Sequence, residues 1–144
     1  MSLFTSDIYF LRRQSVKTIS LQFGLPELAS PLAKAGLSRI NVSLDTLSRE
    51  RFKTLTYRDK FEDVILGLNA AKEAGLFPIK VNSVLLKGIN DDEAPALLSW
   101  ALENEYSLRF IEQMPLDAGG ITHAHIFVEM AQLRTLVVHL VQLL

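Results

Sequence analysis

Three short stretches that alternate apolar and polar residues, held apart by helix-like segments, constrain this chain more than anything else in it. They are Arg39-Ile40-Asn41-Val42-Ser43-Leu44-Asp45, Ile79–Leu86 and Leu108–Gln113. Period-two alternation sends successive side chains to opposite faces of a strand. Between the stretches, Phe61, Val64, Ile65, Leu68 and Ala71 mark one helical face, and Leu97, Leu98, Ala101 and Leu102 mark another. Parallel neighbours need a crossover long enough to be a helix, so strand, helix, strand, helix, strand predicts a parallel sheet. Ligands of such folds sit at the carboxyl ends of the strands. The three strands carry polar groups in the runs Asn41–Asp45 and Lys80–Val84 and in Arg109–Asp117, which turns at a Met-Pro corner.

Local punctuation supports this division. A helix is expected from Pro26, restarted at Ser30-Pro31 by an N-cap with proline at N1, and ended by Gly36. Ser48 is placed to cap a short helix through about Leu55, and Asp59 with Glu62 has the spacing of a capping box. Gly75 closes the next helix, Gly88 turns the chain, and Asn90 with Glu93 forms another cap-like pair. Upstream, Ile8–Leu11 and Val16–Phe23 read as short strands. Downstream, Ile126, Met130, Leu133, Val137, Leu140 and Leu144 recur at helical heptad spacing, which fits a packing helix better than a dimer seam because the run is so short. A boundary near Gly119-Gly120 separates that tail.

Composition narrows the function classes. The 144 residues suffice for one domain with a core. Sixteen acidic and fifteen basic residues give a net charge of -1, which favours neither nucleic acid nor an anionic membrane as partner. The apolar tail from Ile126 is interrupted by Glu129, Gln132, Arg134, His139 and Gln142, against a membrane span, and no signal-peptide pattern opens the chain. The expected location is the cytoplasm. Hydrophobic residues make up 49% and mean hydropathy is +0.21, the mark of a well-buried core or of faces meant for missing neighbours. There is no cysteine, so thiolate nucleophiles, disulfides and thiolate metal sites are excluded from this chain.

Asn41, Ser43 and Asp45 share one face of their strand, and Lys80 and Asn82 share one face of theirs. A polar stripe on an inner face needs partners and often marks a ligand. The competing expectation is structural: Asp45 capping a turn, Ser43 bonded to backbone, Lys80 paired or exposed. The balance tips toward structure for Asp45 and Asn82 and toward ligand binding for Ser43 and Lys80. A strand lysine can also form a Schiff base once desolvated, which makes a Lys80 lyase a rival. His123 and His125 could present two imidazoles to a metal, but with no carboxylate motif nearby they are expected to be exposed loop residues, and Asp91-Asp92-Glu93 suits the dipole of a helix start. No phosphate-loop or nucleophile-elbow motif is present.

Leu37–Leu47, Ile79–Glu93 and Leu108–Asp117 together resemble the molybdenum-cofactor biosynthesis protein A family over about residues 27–118. Its members are radical S-adenosylmethionine enzymes acting as GTP 3′,8-cyclases. The resemblance implies an α/β fold, a partial (βα) TIM-barrel-like parallel sheet, here followed by a C-terminal helix. It implies S-adenosylmethionine and a [4Fe–4S] cluster as cofactors and GTP as substrate. Carried over by position, Ser43 and Met114 contact S-adenosylmethionine and Lys80 reaches GTP. The family's C-x-x-x-C-x-x-C motif, its Gly-Gly-Glu-Pro strand, its Thr-Thr-Asn-Gly run and its second set of cysteines are missing. The expectation is therefore a central barrel fragment (25–118) between an atypical N-terminal segment (1–24) and an atypical helical tail (119–144), unable to catalyse the reaction alone. The alternative is a non-catalytic interaction module that forms a homo-oligomer through an open sheet edge or the tail helix.

Overall fold

The computed structural model describes residues 18–20 and 24–112. The expected tail helix, the Met-Pro corner with Met114, the three histidines and the strand at Ile8–Leu11 lie outside the described residues. Within them the order is β1 (Thr18–Ser20), α1 (Leu25–Lys34), β2 (Arg39–Ser43), α2 (Arg49–Thr56), α3 (Phe61–Glu73), β3 (Ile79–Leu85), a single turn of tighter helix (Asp91–Glu93), α4 (Ala94–Glu103) and β4 (Ser107–Glu112). All neighbouring strands are parallel, and their spatial order, β1-β2-β3-β4, is their order along the chain. The sheet never reverses direction of growth. Right-handed crossovers then deliver every helix to one side of the sheet, as in an arc of a (βα) barrel and unlike a doubly wound sheet. The α/β, barrel-like expectation is borne out.

The alternation in the sequence becomes two unlike faces. Ile40, Val42 and Leu44 from β2 and its exit are wholly buried, as are Ile79, Val81 and Leu85 from β3. All of these but Leu85 meet Leu25, Ala29 and Leu32 of α1 and Val64, Leu68 and Ala71 of α3 in the main core. Burying a side chain of this size stabilises by about 1.5–3 kcal/mol, so this face dominates folding. A smaller core of Leu85, Ala94 and Leu97 fills the corner between β3 and α4. Leu47 and Leu108 pack against both cores.

Gly36 (φ +101°) and Gly75 (φ +74°) sit just past the ends of α1 and α3, as their positions in the sequence imply. Ser48 caps α2, accepting a long 3.4 Å bond from Arg51 N–H.

Three local expectations are corrected. Helix α1 runs unbroken through Pro31 rather than restarting there, with Pro26 in its first turn; burial of Ala29 and Leu32 on either side of Pro31 outweighs the one backbone bond that its ring removes. Asp59 does not cap α3. Its carboxylate takes two bonds from Arg49, Nε at 2.9 Å and Nη2 at 3.2 Å, and a charged fork outcompetes a neutral backbone N–H. Leu102, read as core-facing on α4, is 52% exposed, and the buried face is set by Ala94, Leu97 and Ala101.

Helices α1 and α3 touch closely at Gly67. A Cβ built there would stand 2.8 Å from Leu25 Cβ, closer than carbon atoms tolerate. The Gly67→Ala variant is expected to lose about 1–3 kcal/mol of stability through overpacking, read as a lower urea midpoint; an unchanged midpoint would show that the two helices can slide apart freely.

Candidate functional site

The face of the sheet opposite the core is polar. In the parallel register Asn41 lies beside Lys80, which lies beside Ser107. One row further toward the carboxyl ends, Ser43 lies beside Asn82, which lies beside Arg109. Val84 and Ile111 make the next row. Ser43 and Lys80 therefore share a face on adjacent strands. Strand spacing and rise put their Cα atoms roughly 8 Å apart. They are not level: Ser43 closes β2, whereas Lys80 is the second residue of β3, one row deeper. The four-carbon stem of a lysine is long enough to span one row.

The electrostatics of this face are incomplete. Asn41 Oδ1 and Asn82 Oδ1 are buried without a hydrogen-bond partner among the described residues. Lys80 forms no hydrogen bond or ion pair to a described residue. Unpaired buried acceptors are costly and rare in native interiors. Two of them flanking an ammonium fit a polar ligand that brings both donors and negative charge.

Asp45, at the rim above Ser43, does something else. Its carboxylate Oδ1 accepts a 2.8 Å bond from Val84 N–H, tying the exit of β2 to β3. It does not cap its own turn. Burial pushes the Asp45 carboxyl above its ordinary value, and the bond from Val84 holds it partly back.

Asn90 was expected to pair with Glu93 at a helix start. The structure uses both across the fold instead. Asn90 has no exposed surface, and its amide nitrogen donates to Asp45 O at 2.7 Å and Val84 O at 2.9 Å while its oxygen accepts from Leu86 N–H at 2.6 Å. The carboxylate of Glu93 takes the Thr46 hydroxyl on Oε1 at 2.6 Å and Leu47 N–H on Oε2 at 2.8 Å. Arg51 Nη1 then joins Glu93 at 2.7 Å to Asp92 at 2.6 Å, and the two carboxylates raise the already high pKa of its guanidinium. Sequence reasoning missed these roles. The available signal was the pairing of an acidic turn after one strand with Thr46 after the previous one.

Comparison with known proteins fits this architecture. The model of the radical SAM superfamily matches residues 10–101, and the chain belongs to that superfamily. Its matched span begins at residue 10 and takes in β1, both inside the segment that sequence reading set apart as residues 1–24. Among curated relatives, the "GTP 3′,8-cyclase" of Streptomyces coelicolor is 66% identical over 95 residues, 66% of this chain and 28% of that protein. The protein of the same name from Paenarthrobacter nicotinovorans is 59% identical over 95 residues, 27% of its length. That of Petrotoga mobilis is 38% identical over 114 residues, 79% of this chain and 35% of its own length. The chain thus spans about a third or less of these relatives, and the resemblance to the GTP 3′,8-cyclases read from its motifs is upheld.

The two cofactors of that superfamily fare differently. These 144 residues hold no cysteine, and no group of three or more metal-binding side chains occurs among the described residues, so the chain does not fit an iron–sulfur cluster. The orphaned acceptors beside Ser43 do fit a polar ligand such as S-adenosylmethionine. No helix among the described residues is long and apolar enough to cross a membrane.

Asp45 generates a test. A carboxyl whose folded pKa is raised favours folding at acid pH and loses that contribution as pH rises through its folded value. Asp45→Asn keeps an oxygen for Val84 N–H but cannot ionise. It should melt a few degrees above the parent at about pH 7, the gap closing by about pH 3. A gap that widens on acidification would reverse the sign of this linkage.

Proposed function

We propose that this chain is the central wall of a GTP 3′,8-cyclase barrel, binding S-adenosylmethionine and GTP on its polar face but unable to turn over by itself. The observation that carries the reading is the shared face of Ser43 and Lys80, with orphaned Asn41 and Asn82 oxygens between them, in a chain 66% identical to an enzyme of that name. S-adenosylmethionine supplies the hydrogen-abstracting chemistry of the family when it is bound. The chain's own residues bind and orient. Ser43 offers a hydroxyl at the carboxyl end of β2, where an adenosyl ligand meets a barrel strand. Lys80 offers a compact positive charge to the phosphates of GTP. Met114, two residues past the end of β4 in the sequence, is assigned the rest of the adenosyl side by the family resemblance alone. The cluster thiolates have to come from outside these 144 residues. The cytoplasm is the compartment that suits such a pathway enzyme. A Schiff-base role for Lys80 is not favoured, since the relatives are cyclases.

Two measurements test this. Calorimetric titration of the full chain should show binding of both ligands. Ser43→Ala should weaken S-adenosylmethionine, and Lys80→Ala should weaken GTP by about tenfold or more, equivalent to about 1.4 kcal/mol. Heat signals absent for both ligands would remove the pocket. Anaerobic reconstitution with iron and sulfide should give neither a cluster absorbance nor turnover, and a cluster spectrum with turnover would refute the inactivity.

A second reading rests on the sheet edge. Among the described residues β4 has a neighbour on one side only, and Ile111 on it is 43% exposed. Open edges recruit strands, so self-association is expected to grow with concentration in sedimentation; a constant monomer mass would dismiss it.

A further inference from the structure

The exit of β2 is tied down residue by residue. Leu44 N–H donates to Asn82 O at 2.9 Å, the Asp45 side chain and carbonyl are taken by Val84 and Asn90, and Thr46 and Leu47 are both taken by Glu93. Thr46 in turn accepts from Ser48 N–H at 3.0 Å and has no exposed surface. Asn82 and Val84 hold it from β3 itself, and Asn90 and Glu93 hold it from the turn after β3, more than forty residues along the chain. A loop after a barrel strand is ordinarily among the more mobile parts of a fold. Here it is bolted to its neighbour.

Glu93 is a costly bolt. Its side chain is only 14% exposed, so its charge is largely withdrawn from water. An apolar contact would join two loops with less desolvation. A carboxylate offers what an apolar contact lacks: two fixed acceptors that set the Thr46 hydroxyl and the Leu47 amide in one geometry. Three residues before that pair stands Ser43. Lys80 lies outside the bolted segment, one row down in the regular part of β3.

We propose that Glu93, with Asn90 beside it, is a positioning residue that fixes the adenosyl-binding end of β2 before ligand arrives. The proposal rests on the reading that Ser43 contacts S-adenosylmethionine. Its signature is selectivity. A general loss of structure would weaken both ligands, whereas a loss of positioning weakens the one held by Ser43 and spares the one held by Lys80.

The experiment is calorimetric titration of the full chain with S-adenosylmethionine and, separately, with GTP, alongside circular dichroism. Glu93→Ala should weaken S-adenosylmethionine by about tenfold and GTP by less than about twofold. Glu93→Gln should restore most of that affinity, because its oxygen can accept from Leu47 N–H while its nitrogen donates to Thr46 Oγ1, with the Arg51 guanidinium turning to Asp92 alone. Arg51→Gln, which breaks only the outer ion pairs, should leave both ligands unchanged. Should Glu93→Ala fail to fold, Thr46→Val removes one bond at nearly constant shape and should show the same selectivity. Folded variants that bind S-adenosylmethionine like the parent, or that weaken both ligands alike, overturn the positioning role alone. A parent chain that binds neither ligand overturns this inference together with the function it rests on.

Discussion

Handedness is the constraint on which the rest of this structure depends. A right-twisted strand feeding a right-handed helix returns to a parallel neighbour in one sense only. With the four strands arranged in chain order, each crossover covers the same side. That single fact divides the molecule. One face of the sheet becomes the wall of a core, with Ile40, Val42, Ile79 and Val81 sealed under α1 and α3. The other face has no helix of the described chain to bury against, and below the row of Val84 and Ile111 its residues are asparagine, serine, lysine and arginine. Function has room because topology leaves that face free of the described helices.

Close packing on the covered side sets the precision available on the open one. Gly67 lets α3 lie against Leu25 of α1 with no side chain between them. A parallel sheet held this tightly has little freedom to shear, so the register that places Ser43 beside Asn82 and Lys80 beside Asn41 is stable against slippage. The polar face inherits its geometry from apolar contacts that it never touches.

Much of this was legible in the sequence, for reasons that can be stated. Period-two alternation found β2 and β3 because each strand buries one face, and Gly36, Gly75 and Ser48 marked helix ends because those preferences are local. The shared face of Ser43 and Lys80 followed from alternation together with parallel pairing. The failures are non-local. Asp59 and the Asn90–Glu93 pair have the spacing of caps, yet each gives its side chain to a partner distant in sequence: Arg49 for Asp59, and Asp45, Thr46 and Leu47 for the other two. A capping signal states what a residue can do for its neighbours and is silent on stronger offers from elsewhere. Pro31 misled in the opposite way, since tertiary burial kept a helix going through a residue that locally discourages it.

The division of the interior into two cores has a further consequence. The larger core belongs mainly to α1, α3, β2 and β3, with Phe52 of α2 and Ala101 of α4 added, the smaller to the β3–α4 corner, and Leu47 and Leu108 bridge them. Regions with separate apolar clusters open with separate free energies. The turn carrying Asn90 and Glu93 belongs to the smaller corner, while the strand exit it grips belongs to the larger body. Breathing along that seam would therefore release the rim without unfolding the wall, so amide protons at Leu47 and Leu86 should exchange with solvent well before those buried in the middle of β2.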